Sequence, residues 1–95
     1  MIGINFLTKL ERSHDTVFVD WSDGVLVMSF KTGRYFGMRG TGPRIWELLE
    51  YPIQPEAIVD AILAEFDVDE LTGREETLTY LRELMDAGLV LPVTG

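Results

Sequence analysis

The hydrophobic periodicity of this chain changes once along its length. Between residues 16 and 38 lie three β-rich stretches, TVFVDW, VLVMSF and YFGM, separated by turns that contain Asp23-Gly24 and Thr32-Gly33. From residue 41 onward, apolar residues recur at helical spacing in three segments. Because strands and helices are segregated along the chain, we expect an α+β fold in which three helices follow and cover a three-stranded antiparallel sheet.

Each predicted helix has a start signal and an apolar stripe. Thr41 is expected to cap the first helix, and Pro55 opens the second. Thr72, followed by Glu75, forms a capping-box pattern for the third helix, which Gly88 terminates. The predicted buried residues are Ile45, Trp46, Leu48 and Leu49 in the first helix, Ile58, Val59, Ile62, Leu63 and Phe66 in the second, and Leu78, Leu81, Leu84 and Met85 in the third.

Composition restricts the classes of function. The 95 residues bury enough for one core, so we expect residues 1–95 to form a single domain. A formal net charge of −8 repels phosphate backbones, so nucleic acid is not an expected partner. The chain has no cysteine and a single histidine, and we expect neither a metal nor a cofactor. No apolar run approaches the ~20 residues that span a bilayer, so we expect no membrane association.

Candidate catalytic groups are few. His14 lies beside Ser13 and Asp15, but neighbours in sequence do not make a triad, and a solvated loop histidine is the favoured interpretation. The acidic loop from Asp67 to Glu70 lacks the spacing of a calcium-binding loop. The glycines of GMRGTG are followed by no lysine, so they resemble a phosphate-binding loop only superficially. We therefore expect a binding protein without catalytic activity.

The third predicted strand has features of a docking edge. An edge strand presents unpaired N–H and C=O groups, which proteins normally protect. Gly37 removes a side chain where another backbone could approach, and Arg34 and Arg39 frame the strand with positive charge. We hypothesise that an extended peptide adds there as a fourth strand, in a groove between the third strand and the third helix.

Two interpretations of the sheet remain open. Tyr35, Phe36 and Met38 are equally well explained as core residues, with Gly37 as a bulge. The second stretch has apolar residues on both faces, so one face of the sheet is left without a covering layer. That face could serve as a dimer or peptidase surface, and its candidate residues, if they share a face, are Val17, Val19, Trp21, Val25 and Val27.

The segments KTGRYFGMRGTGPRIWELLE, PEAIVDAILAEFDVD and LTYLRELMDAGLV together resemble the PqqD-like family of peptide-recognition domains, over roughly residues 17 to 91. The resemblance implies a winged-helix-like fold. It also implies that the domain binds the leader segment of a ribosomally made precursor peptide as an added strand. The leader would then be presented to a separate leader peptidase, or to another processing enzyme such as a cyclase, in the cytoplasm. FKTGRYFGM resembles stand-alone lasso-peptide proteins more than the PQQ-pathway member, whose strand reads L-x-P-E-R.

The resemblance also implies a set of leader-binding residues on two elements. In two places the sequence departs from the family pattern: Met38-Arg39 stands where Leu-Asn is frequent, and Thr77 stands where an acidic residue is frequent. Glu75 or Glu76 would supply the missing charge. The predicted set is Arg34, Tyr35, Phe36, Gly37, Met38 and Arg39 on the strand and Glu75, Thr77, Leu78, Leu81, Arg82 and Met85 on the helix.

Two alternative functions remain. One is a PqqD-type chaperone of the PQQ precursor peptide. The other is a winged-helix DNA-binding regulator, whose recognition helix would be the segment from Gly73 to Ala87. That helix carries more acidic than basic residues, which disfavours DNA binding.

Overall fold

The computed structural model describes residues 8–93. A central antiparallel sheet with strand order β2-β3-β4 is followed by three helices, which confirms the expected α+β architecture. A second sheet of two short strands, β1 and β5, lies beside it. In chain order the elements are β1 (Leu10–Arg12), β2 (Thr16–Trp21), β3 (Gly24–Ser29), β4 (Tyr35–Met38), α1 (Gly42–Leu48), α2 (Pro55–Glu65), α3 (Glu70–Asp86) and β5 (Val90–Pro92).

The central sheet has one buried and one exposed face. Val25 pairs with Met38 and Val27 with Phe36, so these side chains share the face that meets the helices. The other face carries apolar side chains at Val17, Val19, Trp21, Leu26, Met28 and Tyr35. The set proposed from sequence for the uncovered face was therefore wrong in two members. Val25 and Val27 are buried in the core, while Val17, Val19 and Trp21 are exposed.

The helices begin and end close to the predicted residues, with one difference. Helix α2 begins at Pro55, as expected. Helix α3 begins at Glu70, because the Asp69 side chain accepts a hydrogen bond from the Thr72 N–H at 3.1 Å. Thr72 therefore lies inside the first turn, and the capping box predicted from Thr72 and Glu75 was wrong. An acidic cap one turn earlier satisfies the same free backbone donors and also suits the helix dipole.

One core joins the inner face of the sheet to all three helices. Trp46 is its largest fully buried side chain, and none of its members is more than 6% exposed. The predicted helical stripes are in place, with Leu48, Phe66, Leu78 and Met85 packed around the rim of the core. The core consists of Leu10, Val25, Val27, Met38, Ile45, Trp46, Leu49, Ile58, Ile62, Leu81, Leu84, Leu89 and Val90. Within residues 8–93, no helix is both long and apolar enough to cross a membrane.

The β1–β5 pair was not predicted. Each strand has only three residues, too few to show an alternating pattern. Arg12 joins this small sheet to α1, because its guanidinium lies 4.9 Å from the Phe18 ring centroid and 4.6 Å from that of Trp46. It also donates two hydrogen bonds to the Trp46 carbonyl oxygen. Burial lowers the pKa of Arg12 from its usual value, although the charged form remains dominant.

Candidate functional site

Strand β4 has one free edge within the described part of the chain. Ser29 N–H donates to the Arg34 carbonyl at 2.9 Å, and these two residues lie directly opposite each other when the β3–β4 register is extended. In an antiparallel ladder such pairs alternate, so the N–H and C=O groups of Phe36 and Met38 also point toward β3. The N–H and C=O groups of Tyr35 and Gly37 therefore point toward the free edge and are available to another strand.

Helix α3 stands opposite this edge, so that β4 and α3 form the two walls of a groove, as the sequence led us to expect. The rings of Phe36 and Tyr80 meet edge to face across it, with centroids 5.9 Å apart. One cavity of about 230 Å³, the Arg34 cavity, is lined by Arg34, Tyr35, Phe36, Glu83, Asp86, Ala87 and Leu89. A second of about 450 Å³, the Arg39 cavity, is lined by Arg39, Thr41, Gly42, Glu75, Glu76, Thr79, Tyr80 and Glu83.

Tyr80 lines the Arg39 cavity and contacts Phe36, which lines the Arg34 cavity. Its hydroxyl oxygen is buried and has no hydrogen-bond partner among residues 8–93. Burial, with a smaller contribution from the nearby Glu83 carboxylate, raises the pKa of Tyr80 to about 12. Gly42 makes room for the hydroxyl, because a Cβ atom on that glycine would lie 2.8 Å from it. The phenol is thus a neutral, protonated group at neutral pH.

The two walls of the groove carry opposite charges. The helix wall presents four carboxylates, and the strand wall presents one guanidinium at each end, on Arg34 and Arg39. None of these six groups forms an ion pair within 4.0 Å in the part of the chain that the structure describes, where the ion pairs involve only Arg44 and Arg74. We call the four carboxylates the acidic wall; they belong to Glu75, Glu76, Glu83 and Asp86.

The strand half of the predicted site is divided between two faces. Met38 is buried in the core and Phe36 packs against it, whereas Tyr35 is exposed on the opposite face. The alternative that all three are core residues is therefore correct for Met38 and Phe36 and wrong for Tyr35. Gly37 pairs regularly with Leu26, so it is not a bulge. A Cβ atom on Gly37 would meet nothing within 4 Å.

The helix half of the predicted site lies mostly on another face of α3. Leu81 and Thr77 are buried, and Leu78 and Met85 pack against the core. Arg82 is exposed but lines neither cavity, and Glu75 is the only predicted helix residue that does. A role in ligand contact stays a prediction for all twelve residues, but the groove itself is lined by a different side of the helix.

The helix residues that line the groove form their own pattern. Glu76, Tyr80, Glu83 and Ala87 follow helical spacing along one side of α3. Sequence reasoning named Glu76 only as an alternative source of charge and passed over the other three, because it followed the apolar stripe, which belongs to the core. The sequence feature that could have identified this side of α3 is Tyr80, because an aromatic residue is unusual on a helix side that is otherwise polar and charged. No group of three or more histidine, cysteine, aspartate or glutamate side chains within residues 8–93 is arranged to hold a metal ion.

The fold and the groove can be compared with those of known proteins, and the comparisons agree with a small α+β domain that has a free strand edge opposite a helix. Residues 24–90 match the model of PqqD, Coenzyme PQQ synthesis protein D. The chain belongs to the PqqD family. The solved structure of TbiB1 in complex with the TbiA(β) leader peptide is 38% identical, with a TM-score of 0.77, over 90% of this chain and 99% of that chain.

A more distant solved structure has the same fold. Lasso peptide synthetase B1 complexed with the leader peptide is 16% identical, with a TM-score of 0.74, over 87% of this chain and 98% of that chain. At this level of identity the likeness concerns the fold alone. No curated protein sequence matches this chain.

Proposed function

We propose that this protein binds the leader segment of a ribosomally synthesised precursor peptide in lasso-peptide biosynthesis. The observation that carries the proposal is the free edge of β4 facing an unfilled groove, in a chain 38% identical to TbiB1, whose structure holds a leader peptide. The alternative substrate is a PQQ-type precursor, which the family description supports. The acidic net charge disfavours nucleic acid as a partner, and with it the alternative of a DNA-binding regulator.

The leader binds by strand addition. Tyr35 and Gly37 offer their outward N–H and C=O groups, and these fix the register and supply sequence-independent affinity. Alternate side chains of the added strand face α3, because residues opposite Phe36 and Met38 share the inner face of the sheet. Those side chains enter the Arg34 and Arg39 cavities, where selectivity arises.

The protein acts as an adaptor rather than an enzyme. Its groove offers backbone groups, aromatic surface and charge, which suit it to hold a peptide in one register. We propose that it presents the bound leader, in the cytoplasm, to a separate leader peptidase or another processing enzyme. The leader is therefore expected to remain intact when it is incubated with this protein alone, and mass spectrometry of the peptide checks this.

The proposal is tested by removing one outward backbone donor. Gly37→Pro deletes the N–H group that points to the leader, while an edge strand tolerates proline where its N–H faces away from the sheet. We expect at least a tenfold loss of affinity for a fluorescently labelled TbiA(β) leader peptide, measured by anisotropy, which corresponds to about 1.4 kcal/mol. Gly37→Ala is the matched control, because its Cβ atom enters open space and its N–H is kept.

The outcomes separate the possibilities. Equal affinity of a folded Gly37→Pro variant and the wild type would rule out strand addition at β4. If a PQQ-type leader binds and the TbiA(β) leader does not, the pathway assignment changes while the binding mode stands. Binding to neither leader by the folded wild-type protein would overturn the proposed function.

A further inference from the structure

The ionic groups that line the groove lie on two facing walls of opposite charge, whereas two arginines outside the groove are held in ion pairs. Arg44 pairs with Glu47 and Glu65, and Arg74 pairs with Glu56 at 2.7 Å. The acidic wall faces Arg34 and Arg39 but, in the described part of the chain, forms no ion pair with either. The free edge of β4 defines where a peptide strand lies, and a strand placed there separates the two charged walls. The wall then determines which side chains that strand tolerates.

Glu83 has a special position on this wall. Among residues 8–93 it is the one acidic residue that lines both the Arg34 cavity and the Arg39 cavity, and it is exposed. Tyr80, one turn earlier, contacts Phe36 across the groove. An inward side chain at the middle of the docked strand, near Phe36, therefore lies close to the Glu83 carboxylate. The nearest ionic groups on the strand wall are at the two ends of β4, so the central position is dominated by negative charge.

We propose that the peptides selected by this protein carry a lysine or arginine at the central inward position of the docked strand, paired with Glu83. This inference rests on the proposed strand addition and specifies the substrate class for that site. Docking excludes water from the groove, and a carboxylate left there unpaired is costly, so an uncharged or acidic residue at this position is disfavoured. The neighbouring positions of the strand face the outer side of the sheet and are indifferent to charge.

A lysine scan of the TbiA(β) leader tests this. Each position in turn is made lysine, glutamine or glutamate, and affinity is measured by fluorescence anisotropy in low and high salt. We expect lysine to bind about fivefold more tightly than glutamate at one inward position, and the preference to vanish at the adjacent positions, with a period of two. Salt is expected to reduce the preference.

Reversal of the charge on the protein supplies the second arm. Glu83→Lys is expected to invert the preference at that one position, and Glu83→Gln to abolish it. Asp67→Lys is the matched control: it makes the same change in net charge on an exposed loop that lines neither cavity, and it keeps the wild-type preference. Thermal melts check that all three variants are folded.

Each result bears on one proposal. A flat lysine scan with a peptide that binds normally, or a Glu83→Lys variant that keeps the wild-type preference, overturns the charge inference and leaves strand addition intact. Loss of binding for the whole panel with wild-type protein overturns the proposed function itself. A shift caused equally by Asp67→Lys would mean that only the overall charge of the protein matters, and the assignment to Glu83 would be wrong.

Discussion

The central sheet ends in two very different edges, β2 on one side and β4 on the other. By the alternation that places Tyr35 and Gly37 outward on β4, the outward backbone groups of β2 belong to Phe18 and Asp20. Strand β2 is the longer and the more exposed, since five of its six residues are exposed, against two of the four in β4. On exposure alone, β2 would be chosen as the docking edge.

The space beside each edge reverses that choice. A cavity of about 430 Å³ lies between β2 and α1, and it is lined by the Arg12 guanidinium, which stacks on Phe18 and Trp46. The Arg12 guanidinium thus covers the aromatic surface on this side. Beside β4, the Phe36 and Tyr80 rings meet between the two walls, and no guanidinium or ammonium group of residues 8–93 is stacked on them. Both edges have open space beside them, so the difference is that the aromatic surface beside β4 is not covered by a charged side chain of residues 8–93.

The largest expected effect concerns the contact that ties β3 to the end of β4. Gly24 begins β3, and a Cβ atom on it would lie 1.9 Å from the Met38 carbonyl oxygen. Gly24→Ala therefore forces the two backbones apart, and we expect a loss of about 3 kcal/mol in the free energy of unfolding, measured by urea denaturation. Because the displaced segment includes the groove, affinity for the leader also falls.

Gly37→Ala is the control for this change as well. It places the same methyl group on β4 itself, where nothing lies within 4 Å, so stability is expected to stay within about 0.5 kcal/mol of the wild type. If Gly24→Ala were equally harmless, the close approach of β3 to the end of β4 would be disproved, and with it the rigid placement of the docking edge.

A second pair of variants compares the two edges directly. Phe18→Ala removes the edge-to-face contact with Trp46, and Phe36→Ala removes that with Tyr80. Both rings are only partly buried, so each change is expected to cost about 2 kcal/mol of stability. Only Phe36→Ala is expected to lower affinity for the TbiA(β) leader, by about tenfold, because only its ring lines the groove.

The measurement combines denaturation with anisotropy on both variants at a temperature where each is folded. Equal losses of affinity would mean that the β2 side also contacts the peptide, or that global stability alone governs binding. A loss confined to Phe18→Ala would move the binding site to the other edge.

The sequence predicted the main elements of this fold because each has a strong local signal. The stripe of α2 is long enough to establish both the type of element and its buried face. The sequence of β3 is apolar on both faces, so it predicted a strand but not which face is buried. The β1–β5 pair failed this criterion, since three-residue strands are fixed by tertiary pairing of Leu10 with Pro92 rather than by pattern. The cap of α3 was misplaced because Asp69 and Thr72 are both good capping residues, and only the folded loop selects one.

The groove was predicted in outline, but Glu75 and Glu76 were the only helix residues named from sequence that line it. The groove between β4 and α3 follows from topology, and Phe36 and Arg39 do line it. On α3, however, apolar spacing identifies the side that packs into the core, as Leu81 and Leu84 do. The side that faces the groove is polar and differs from an ordinary solvated face only by its position opposite β4. Such a position is set by packing angles that periodicity does not encode.

The smallest expected effect concerns the buried donors near the two edges. Among the residues that the structure describes, the Trp46 indole N–H beside β2 and the Tyr80 hydroxyl beside β4 have no hydrogen-bond partner. Of these two groups, only the Tyr80 hydroxyl can be removed by a conservative substitution, Tyr80→Phe. We expect this variant to be more stable than the wild type at neutral pH by about 1 kcal/mol, since an unsatisfied buried hydroxyl is costly.

The pH dependence gives the sharper test of Tyr80. Its pKa is raised to about 12 in the folded protein from an ordinary value of 10.0, so the folded state holds this proton more tightly than the unfolded state does. The contribution of this proton to the free energy of unfolding is fully present below pH 10 and is lost as the pH rises through 12. Urea denaturation across this range should show the wild type losing more stability than Tyr80→Phe. The other tyrosines are present in both proteins, so parallel curves would mean that the Tyr80 hydroxyl is solvated and the groove is open at its centre.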